Sequence, residues 1–312
     1  MEIRPALPER DYERILALIN IDESEPYTLS QYQHWLREEP GRMYRTRVAV
    51  DDQDEVIGYS EVVHETWYAP GRYYLWVCVD PRFLRQGIGS ALYAEAEAFA
   101  LAQGAAVLTT DMRDNNPAAF AFAGRFGYSL DRHLFESVLD LDQFDETPFS
   151  DCIATLSASG IRFYSLADFD NTVEARRKLY EVNTITVLQI PGSRGEMPTF
   201  EQFEKEVAGS EWFNPEGQLL AADGEQFIGL SAVRLYPESR SSYNLMTGVL
   251  EAYRGRKIAL ALKLLAIRYA RSCGAKTMRT HNDSRNAPIL AINRKLGYQP
   301  QPGKYFLRKV VG

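Results

Sequence analysis

The sequence has few cysteines and no long apolar run. Its three cysteines (Cys78, Cys152 and Cys273) are far apart and form no CxxC pair. This argues against a disulfide scaffold or a metal site, and it favours a reducing compartment, the cytoplasm. No apolar run approaches the roughly 18–20 residues of a membrane-spanning helix. The start of the chain, Met1–Pro5, lacks the basic and apolar parts of a secretory signal, so we expect no membrane association.

Lysine is absent from the first 150 residues. That stretch carries 26 acidic residues and 13 arginines, whereas residues 151–312 carry 22 basic and 16 acidic residues. The contrast favours a domain boundary near residue 150. It reflects either two differently solvated surfaces, or an acidic half that attracts cations and a basic half that attracts phosphates. The sequence contains no basic arm or Arg/Lys-aromatic stripe, so we expect no nucleic-acid partner.

The 312 residues contain an internal repeat. Matching residues recur at an offset of 170 positions, across helix-like and strand-like segments alike, and upstream the strand segment Ile57–Ser60 matches Ile228–Ser231 at an offset of 171. This period is too long for a solenoid, so we predict two copies of one domain, copy 1 (residues 1–145) and copy 2 (residues 158–312). The stretch Asp142–Ser157 has no clear periodicity and is predicted to be a linker. The matching pairs include Val79 with Val249, Ile88 with Ile258, Asn116 with Asn286 and Gly127 with Gly297.

Both copies predict the same order of elements, an α/β arrangement with a mixed, mostly antiparallel sheet flanked by helices. The predicted strands of copy 1 are 2–4, 46–50, 56–65, 73–79, 106–111 and 134–140, with helices at 9–20, 30–38, 87–103 and 117–126. The predicted strands of copy 2 are 161–164, 217–222, 226–235, 242–249, 277–282 and 305–310, with helices at 168–183, 200–207, 257–273 and 287–296.

A glycine-containing turn joins strand 73–79 to a long helix. It runs from Asp80-Pro81 to Arg85-Gln86-Gly87-Ile88-Gly89-Ser90. A helix N-terminus presents unpaired N–H groups and a partial positive charge, which suit a diphosphate. A dinucleotide-binding GxGxxG is excluded because its third glycine would fall at Leu92, and a P-loop because no Gly-Lys-Ser/Thr follows. From these residues alone, a turn without a ligand remains an alternative.

The motifs of both copies resemble one family. Val79, the run Arg85–Ser90, Asn116 and Phe126-Gly127-Tyr128 together look like the GCN5-related N-acetyltransferase (GNAT) family. In copy 2, Val249, the run Arg254–Ala259, Asn286 and Leu296-Gly297-Tyr298 look like a second GNAT domain. The resemblance covers nearly the whole chain, and the layout is similar to that of mycothiol synthase-type proteins. It implies that acetyl-CoA is the cosubstrate and that a primary amine of a small molecule accepts the acetyl group.

The resemblance also implies which residues bind acetyl-CoA. The family pattern Gln/Arg-x-x-Gly-x-Gly/Ala is incomplete, because Leu84 replaces its first residue in copy 1 and Lys257 replaces its first glycine in copy 2. Lys257 would either contact a phosphate or block it. Loop N–H groups are expected to bind the pyrophosphate, and the strand ends to pair with the pantetheine arm. The implied residues are Val77, Cys78, Val79, Arg85, Gln86, Gly87, Ile88, Gly89, Ser90 and Asn116 in copy 1, and Thr247, Gly248, Val249, Arg254, Gly255, Arg256, Lys257, Ile258, Ala259 and Asn286 in copy 2.

Catalysis in this family needs a base, an oxyanion donor and a proton for the departing thiolate. The tyrosine that usually supplies this proton is replaced by Ala123 and Asn293. Asn293 is expected either to hydrogen-bond the sulfur or a water, or to be a polar residue on the helix surface. Asp111 and His281, at equivalent strand ends, are base candidates, although the polar residues around His281 also fit ordinary helix caps. The predicted oxyanion donors are the backbone N–H groups of Cys78, Val79, Gly248 and Val249.

Several segments are candidates for the acceptor site. Glu61 and Glu65 either contact a cationic amine or lie on a solvated face. An aromatic cluster either lines an acceptor pocket or packs a hairpin. Its members are Trp67-Tyr68, Tyr73-Tyr74 and Trp76. In copy 2 the resemblance places a lid at helix 168–183 and loop 191–198, with a floor at residues 184–186 and 189–193.

We therefore expect an acetyl-CoA-dependent N-acetyltransferase, monomeric or homodimeric, with copy 1 slightly favoured as the intact site. The acidic first half favours a cationic acceptor. The alternative is a non-catalytic acetyl-CoA-binding or scaffold protein, which the missing tyrosine in both copies supports.

Overall fold

The computed structural model describes residues 1–22, 27–36, 40–192 and 197–311. The chain divides into two compact units. The first unit comprises Met1–Arg132 and the segment from Lys304 onward, and the second unit comprises His133–Gly303. Each is a mixed, mostly antiparallel sheet flanked by helices, so the predicted fold class is confirmed.

The first unit has the strand order β1-β2-β3-β4-β5-β13, in which only β4 and β5 are parallel. Helices α1 and α2 cover one face of this sheet, and α3 and α4 cover the other. The strands are β1 (Glu2–Pro5), β2 (Met43–Val50), β3 (Val56–His64), β4 (Arg72–Val79), β5 (Val107–Arg113) and β13 (Lys304–Val310); the helices are α1 (Pro8–Ile19), α2 (Leu29–Trp35), α3 (Ile88–Ala102) and α4 (Pro117–Arg125).

The second unit has the strand order β7-β8-β9-β10-β11-β6, with β12 also pairing with β6. Only β10 and β11 are parallel. The strands are β6 (Ser129–Asp140, which begins in the first unit), β7 (Ile161–Ser165), β8 (Gln218–Asp223), β9 (Gln226–Tyr236), β10 (Ser241–Val249), β11 (Thr277–Asp283) and β12 (Gln299–Pro300); the helices are α5 (Cys152–Ala158), α6 (Val173–Leu188), α7 (Phe200–Phe203), α8 (Ile258–Ser272) and α9 (Ala287–Lys295).

Each unit completes its sheet with the last strand of the other copy. β13 pairs antiparallel with β5, and β6 pairs antiparallel with β11. The units therefore differ from the sequence-based domains 1–145 and 158–312. The repeat does not predict this exchange of last strands. β6 and β13 are similar in sequence pattern, so either could pair with either sheet edge.

The stretch predicted as a linker is folded. Residues 142–157 contain a 3₁₀ turn at Thr147–Phe149 and most of α5. Phe149 and Leu156 are buried in the core of the second unit. The linker prediction is wrong for this segment, because a seven-residue helix is too short for its periodicity to be read.

The helix predicted at 168–183 begins late. Asp170 and Asn171 have φ angles of 52° and 48°, a left-handed conformation that interrupts a right-handed helix. Thr172 then caps α6 with its hydroxyl. Because α6 continues past residue 183, residues 184–186, which we expected at the floor of an acceptor site, are helical.

Two predicted segments fall partly outside the described residues: residues 37–38 at the end of the second helix, and residues 193–196, including Ser193, in the lid loop of copy 2. No helix in the described part of the chain is long and apolar enough to cross a membrane. Within the same part, no group of three or more His, Cys, Asp or Glu side chains is placed to hold a metal ion.

Candidate active site

Strands β4 and β5 separate part-way along the sheet of the first unit. Over the described residues their ladder joins three pairs and ends at Tyr74↔Thr109. β4 remains paired with β3 up to Val79↔Gly58, and β5 keeps β13 on its other side. One edge of β4 beyond Tyr74 therefore faces an opening, which we name the first strand gap.

Alternate backbone N–H groups of β4 point into this gap. The N–H of Asp80 donates to Ile57 O on β3 at 2.9 Å. Because successive N–H groups of a strand point to opposite edges, those of Val77 and Val79 face the gap and that of Cys78 faces β3. Two oxyanion donors were predicted in copy 1. The N–H of Val79 faces the gap and is available for this role, whereas the N–H of Cys78 is directed toward β3.

The second unit contains the equivalent opening, the second strand gap. The ladder of β10 and β11 also joins three pairs in the described residues, ending at Tyr243↔Arg279. The N–H of Leu250 donates to β9 at 2.9 Å. By the same alternation, the N–H of Val249 faces the gap and that of Gly248 faces β9.

The first strand gap leads to an exposed turn at the start of α3. Gly87 is the N-cap residue, with a φ of 86°, and no side chain caps the helix. A Cβ atom at Gly87 would have no atom within 4 Å, so the space over the turn is open. Arg85 and Gln86 are exposed beside it. An open, uncapped helix N-terminus next to a cationic side chain fits a diphosphate group.

Asp80 holds this turn in place. The carboxylate is 3% exposed and accepts hydrogen bonds from the Arg82 backbone N–H at 2.9 Å and from its guanidinium at 2.7 Å. It also forms an ion pair with Arg14 on α1. The hydrogen bonds from Arg82 lower the pKa of Asp80 to about 2. No role was predicted for Asp80, although an aspartate before a proline is a turn signal.

The corresponding turn of the second unit is cationic. Lys257 takes the N-cap position of α8 with a φ of 66°. A cavity of about 200 Å³ adjoins it, lined by Arg256, Lys257, Lys295 and residues between 148 and 156. Arg254 donates to a backbone carbonyl at the end of β10 at 3.2 Å. The turn of the second unit would attract an anion by the positive charges of its side chains. The turn of the first unit would bind one with its exposed backbone N–H groups.

A family model described as the acetyltransferase (GNAT) family matches residues 9–128 and 186–298. The chain belongs to this family. The two matches coincide with the two copies, and each contains one strand gap and one turn. As a GNAT protein the chain is an acyltransferase, and acetyl-CoA is the general acetyl donor of the family.

Curated relatives and solved structures agree with a tandem GNAT arrangement. Mycothiol acetyltransferase of Corynebacterium glutamicum is 25% identical over 264 residues, which cover 83% of this chain and 80% of the relative. Mycothiol acetyltransferase of an Arthrobacter species is 23% identical over 249 residues, covering 78% and 71%. A GCN5-related N-acetyltransferase from Sphaerobacter thermophilus has a TM-score of 0.61 at 22% identity, with 99% and 95% coverage. A tandem GNAT protein from the clavulanic acid biosynthesis pathway has a TM-score of 0.57 at 21% identity, with 100% and 98% coverage.

The two asparagines of the GNAT motif cap helices. Asn116 Oδ1 accepts the N–H of Ala119 at 3.0 Å, and Asn286 Oδ1 accepts the N–H of Ile289 at 3.5 Å. Helix capping accounts for both residues in structural terms. Contact with acetyl-CoA remains a prediction.

Asp111, a base candidate, lies near the end of β5 in the first unit. Its Oδ1 accepts a hydrogen bond from the Tyr74 hydroxyl at 2.7 Å, and its Oδ2 lies 3.4 Å from Lys304 Nζ. Burial, followed by the charge of Asp111, raises the pKa of Tyr74 well above its ordinary value, so the hydroxyl remains a donor. Asp111 is thus engaged by two partners.

His281, the other base candidate, is on the surface of the second unit. Its side chain is 69% exposed, and its Nδ1 lies 3.9 Å from Glu136 Oε1. The ring also contacts Tyr243, at 5.6 Å between centroids. The structure therefore does not place His281 in an enclosed site.

Asn293 is buried, so its interpretation as a polar residue on the helix surface is wrong. It is 3% exposed because its face of α9 packs toward β11. Its Nδ2 donates to Asn282 Oδ1 at 2.7 Å. Its own Oδ1 is buried and has no hydrogen-bond partner among the described residues.

The second unit contains a buried polar network that was not predicted from the sequence. Lys263 is 1% exposed and donates from Nζ to Asn244 Oδ1 at 2.8 Å. Desolvation lowers the pKa of Lys263 to about 7. Asn244 also accepts a hydrogen bond from Thr247 and donates one to Ser231. The sequence feature that could have indicated this network is the single lysine in the apolar run Ile258–Leu265.

Neither Glu61 nor Glu65 lies on a solvated face. Glu65 forms a two-point ion pair with Arg42, at 2.9 Å for each contact. Glu61 Oε1 accepts hydrogen bonds from the hydroxyls of Tyr44 at 2.6 Å and Tyr32 at 3.0 Å. Burial raises the pKa of Glu61, and the two hydroxyls oppose this effect.

The aromatic cluster is divided between the two faces of the first sheet. Tyr73 is buried against α3 and donates to Gln103 O at 2.9 Å. Tyr74 and Trp76 lie on the opposite face, with stacked rings 6.3 Å apart. Trp67, in the hairpin, is 54% exposed. The prediction that the aromatic cluster lines an acceptor pocket is therefore limited to Tyr74 and Trp76.

Proposed function

We propose that this protein is an acetyl-CoA-dependent N-acetyltransferase that acetylates a primary amine of a small molecule, with its working site in the first unit. One observation carries the proposal. The free edge of β4 at Val77 and Val79 runs, within one short stretch of chain, to the open and uncapped start of α3 at Gly87.

The residues of this stretch have separate roles in the proposal. The N–H groups of Val77 and Val79 pair with the pantetheine arm, and the N–H groups from Gly87 to Ser90 hold the pyrophosphate. Arg85 adds charge beside the turn. Acetyl-CoA supplies an activated acetyl thioester to a nucleophilic amine, and an N–H on this free edge of β4 would stabilise the charge that develops on its carbonyl oxygen.

The small-molecule acceptor is inferred from two sources of support. Several curated relatives are named for acetylation of a small molecule, mycothiol. The first 150 residues carry twice as many acidic as basic residues, which favours a cationic acceptor. The cytoplasmic location and the monomeric or homodimeric state remain predictions.

Ala123 supports the rival function, a non-catalytic acetyl-CoA-binding protein. It takes the position at which the family usually has its proton-donating tyrosine. It is 6% exposed and belongs to the hydrophobic core that α3 and α4 form on the sheet, so an apolar side chain suits this position. A thiolate of coenzyme A is a tolerable leaving group, so we infer that its proton comes from water.

Calorimetric titration with acetyl-CoA tests the cofactor site. We expect the binding heat to be lost in Gly87→Glu, which puts a negative charge at the pyrophosphate site. Gly104→Glu is the matched control. Gly104 has a φ of 82° and an equally open Cβ direction, but it follows the other end of α3, so binding should be retained. A second stoichiometric site, if present, should be lost in Ala259→Glu.

The outcomes separate the possible functions. Failure of the wild type to bind acetyl-CoA would overturn the proposal and leave a scaffold. Binding without release of thiol over a panel of primary amines would favour the non-catalytic function. Turnover that is lost in Gly87→Glu and retained in Ala259→Glu would support the first unit as the working site.

A further inference from the structure

Glu61 is a carboxylate on the α1/α2 face of the first sheet, and no lysine or arginine among the described residues forms an ion pair with it. Both of its hydrogen bonds, from Tyr32 and Tyr44, fall on Oε1. Oε2 has no hydrogen-bond or ion-pair partner among the described residues. The side chain is half-buried, so this oxygen remains within reach of a ligand. Arg42, the cation that influences Glu61 from a distance, is occupied by Glu65.

Aromatic rings surround this carboxylate on the same face. Trp76 is directly opposite Glu61 in the β3–β4 register, and Tyr74 is two residues before Trp76 on β4. The rings of Tyr74 and Trp76 stack at an interplanar angle of 17°. Tyr74, Trp76 and Tyr44 are only half-buried. A carboxylate among partly exposed aromatic faces is a binding environment for an ammonium group.

The position of this cluster relates it to the first strand gap. Tyr74 and Trp76 belong to the strand whose next residues, Val77 and Val79, direct their N–H groups into the gap. Glu61 is one strand away, a spacing of about 4.8 Å between neighbouring strands. The hydroxyl of Tyr74 extends to Asp111. A ligand held at Glu61 therefore lies beside the strand that the proposed function assigns to the acetyl donor.

We propose that Glu61, with Tyr32, Tyr44, Tyr74 and Trp76, is the acceptor subsite, that it binds the ammonium form of a primary amine, and that Glu61 takes the proton which frees the amine for attack. This inference rests on the proposed function. Glu61 removes one proton from the ammonium nitrogen and passes it to water. The nitrogen forms a bond to the acetyl carbon as the carbon–sulfur bond breaks. Its second proton passes to water, and water supplies the proton that the departing sulfur takes up.

The protonation behaviour of Glu61 agrees with this role. Burial raises the pKa of the carboxyl toward the range in which a base works best near neutral pH. The hydroxyls of Tyr44 and Tyr32, and the charge of Arg42, lower it again. The groups that face Glu61 from each packed element are Tyr12 on α1, Tyr32 on α2, Tyr44 on β2, Tyr59 on β3 and Tyr74 on β4.

The described part of the second unit contains no counterpart to this cluster. The position equivalent to Glu61 is Ala232, which is 8% exposed. On the covering helix, Thr186 packs so closely that a Cβ at Gly248 would lie 2.5 Å from Thr186 Cβ. The inference therefore assigns the acceptor to the first unit.

A binding experiment tests the subsite without requiring the natural acceptor. Benzylammonium chloride and its neutral analogue benzyl alcohol are titrated calorimetrically into wild type, Glu61→Gln and Glu97→Gln. Glu97 is the matched control, because it also accepts a tyrosine hydroxyl, from Tyr93 at 2.8 Å, but on the opposite face of the sheet. We expect benzylammonium to bind wild type and Glu97→Gln, and to bind Glu61→Gln about tenfold or more weakly. Benzyl alcohol should not discriminate.

A kinetic experiment tests the proton transfer. For any amine that turns over, Glu61→Gln should lower kcat/KM for the amine by about 10²- to 10⁴-fold while leaving the Kd of acetyl-CoA unchanged. Tyr44→Phe removes a hydrogen bond that lowers the pKa of Glu61, so the acidic limb of the pH profile should move to higher pH.

These results separate the inference from the proposed function. Equal benzylammonium binding in wild type and Glu61→Gln, or no binding to wild type, would overturn the inference while acetyl-CoA binding stands. Loss of acetyl-CoA binding by wild type would overturn the proposed function itself. If Glu61→Gln does not fold, Tyr44→Phe still decides the matter, since an unchanged pH profile contradicts the role of Glu61.

Discussion

Lys263 Nζ lies 2.8 Å from Asn244 Oδ1 inside the second unit, and this is the only hydrogen bond that the ammonium group makes among the described residues. The ring of Tyr298 is 4.9 Å from the same nitrogen. An amide oxygen and a ring face compensate poorly for the loss of hydration, which is why desolvation lowers the pKa of Lys263 to about 7. The folded state therefore holds this proton less tightly than the unfolded state does.

We predict that Lys263→Met stabilises the second unit at pH 7 by about 2–4 kcal/mol. The pKa of Lys263 is near the ordinary lysine value of 10.5 in the unfolded state and about 7 in the folded state. Between these values the unfolded state binds more protons, so wild-type stability rises with pH. The advantage of Lys263→Met should be full below pH 7 and vanish near pH 10.5. Urea denaturation across this range checks the prediction, with the half-buried surface substitution Lys178→Met as control. A gain that is independent of pH would contradict it.

Gly87 and Lys257 occupy equivalent N-cap positions with left-handed φ angles of 86° and 66°. We predict that Gly87→Lys lowers the free energy of unfolding by about 1 kcal/mol, because a Cβ is disfavoured in this conformation. Acetyl-CoA binding should survive, since the added side chain enters open space with a favourable charge. Gly104→Lys should show the same stability loss without any effect on binding. Loss of acetyl-CoA binding in Gly87→Lys would mean that the size of the side chain, and not its charge, determines binding at this turn.

The sequence predicts most of the fold because hydrophobic periodicity and turn residues act locally. The strand ends and helix starts around Gly87 and Lys257 are within one or two residues of their predicted places. The partner of each last strand is set by long-range pairing instead. β6 and β13 carry the same pattern, so nothing local distinguishes the edge of β5 from the edge of β11.

The candidate site shows the same division between local and long-range information. The turn at Gly87 is visible as a motif. The environment of Glu61 is not, because Tyr32 and Tyr44 reach it from other elements. Asn293 and Lys263 lie in helices whose buried faces depend on the sheet beneath them, so their burial could not be read from sequence spacing alone.

Asn293 is predicted to stabilise the second unit rather than to serve the chemistry. Replacing it by leucine leaves the buried Asn282 Oδ1 without its donor, so we expect a loss of about 1–3 kcal/mol in the free energy of unfolding. Turnover at the first unit should be unchanged in protein that remains folded. The exposed neighbour substitution Arg294→Leu is the control. Lost turnover with unchanged stability would instead assign Asn293 to catalysis in the second unit.

Asp80 links α1 to the turn that opens α3, so its charge should matter for both stability and cofactor binding. We predict that Asp80→Asn lowers the stability of the first unit by about 2 kcal/mol at pH 7, because the carboxylate is buried and held by Arg82 and Arg14. The Kd of acetyl-CoA should rise as the turn loosens.

The pH dependence of Asp80→Asn provides the sharper test. The folded pKa of Asp80 is about 2, below the ordinary aspartate value of 3.8. Its contribution is therefore full above pH 4 and is lost as pH falls through 2, so the two proteins should converge in stability over that interval. Asp145→Asn is the control, because Asp145 also accepts a turn N–H, from Thr147 at 2.9 Å, but is exposed. A stability difference that persists at pH 2 would mean that Asp80 acts through packing and not through its charge.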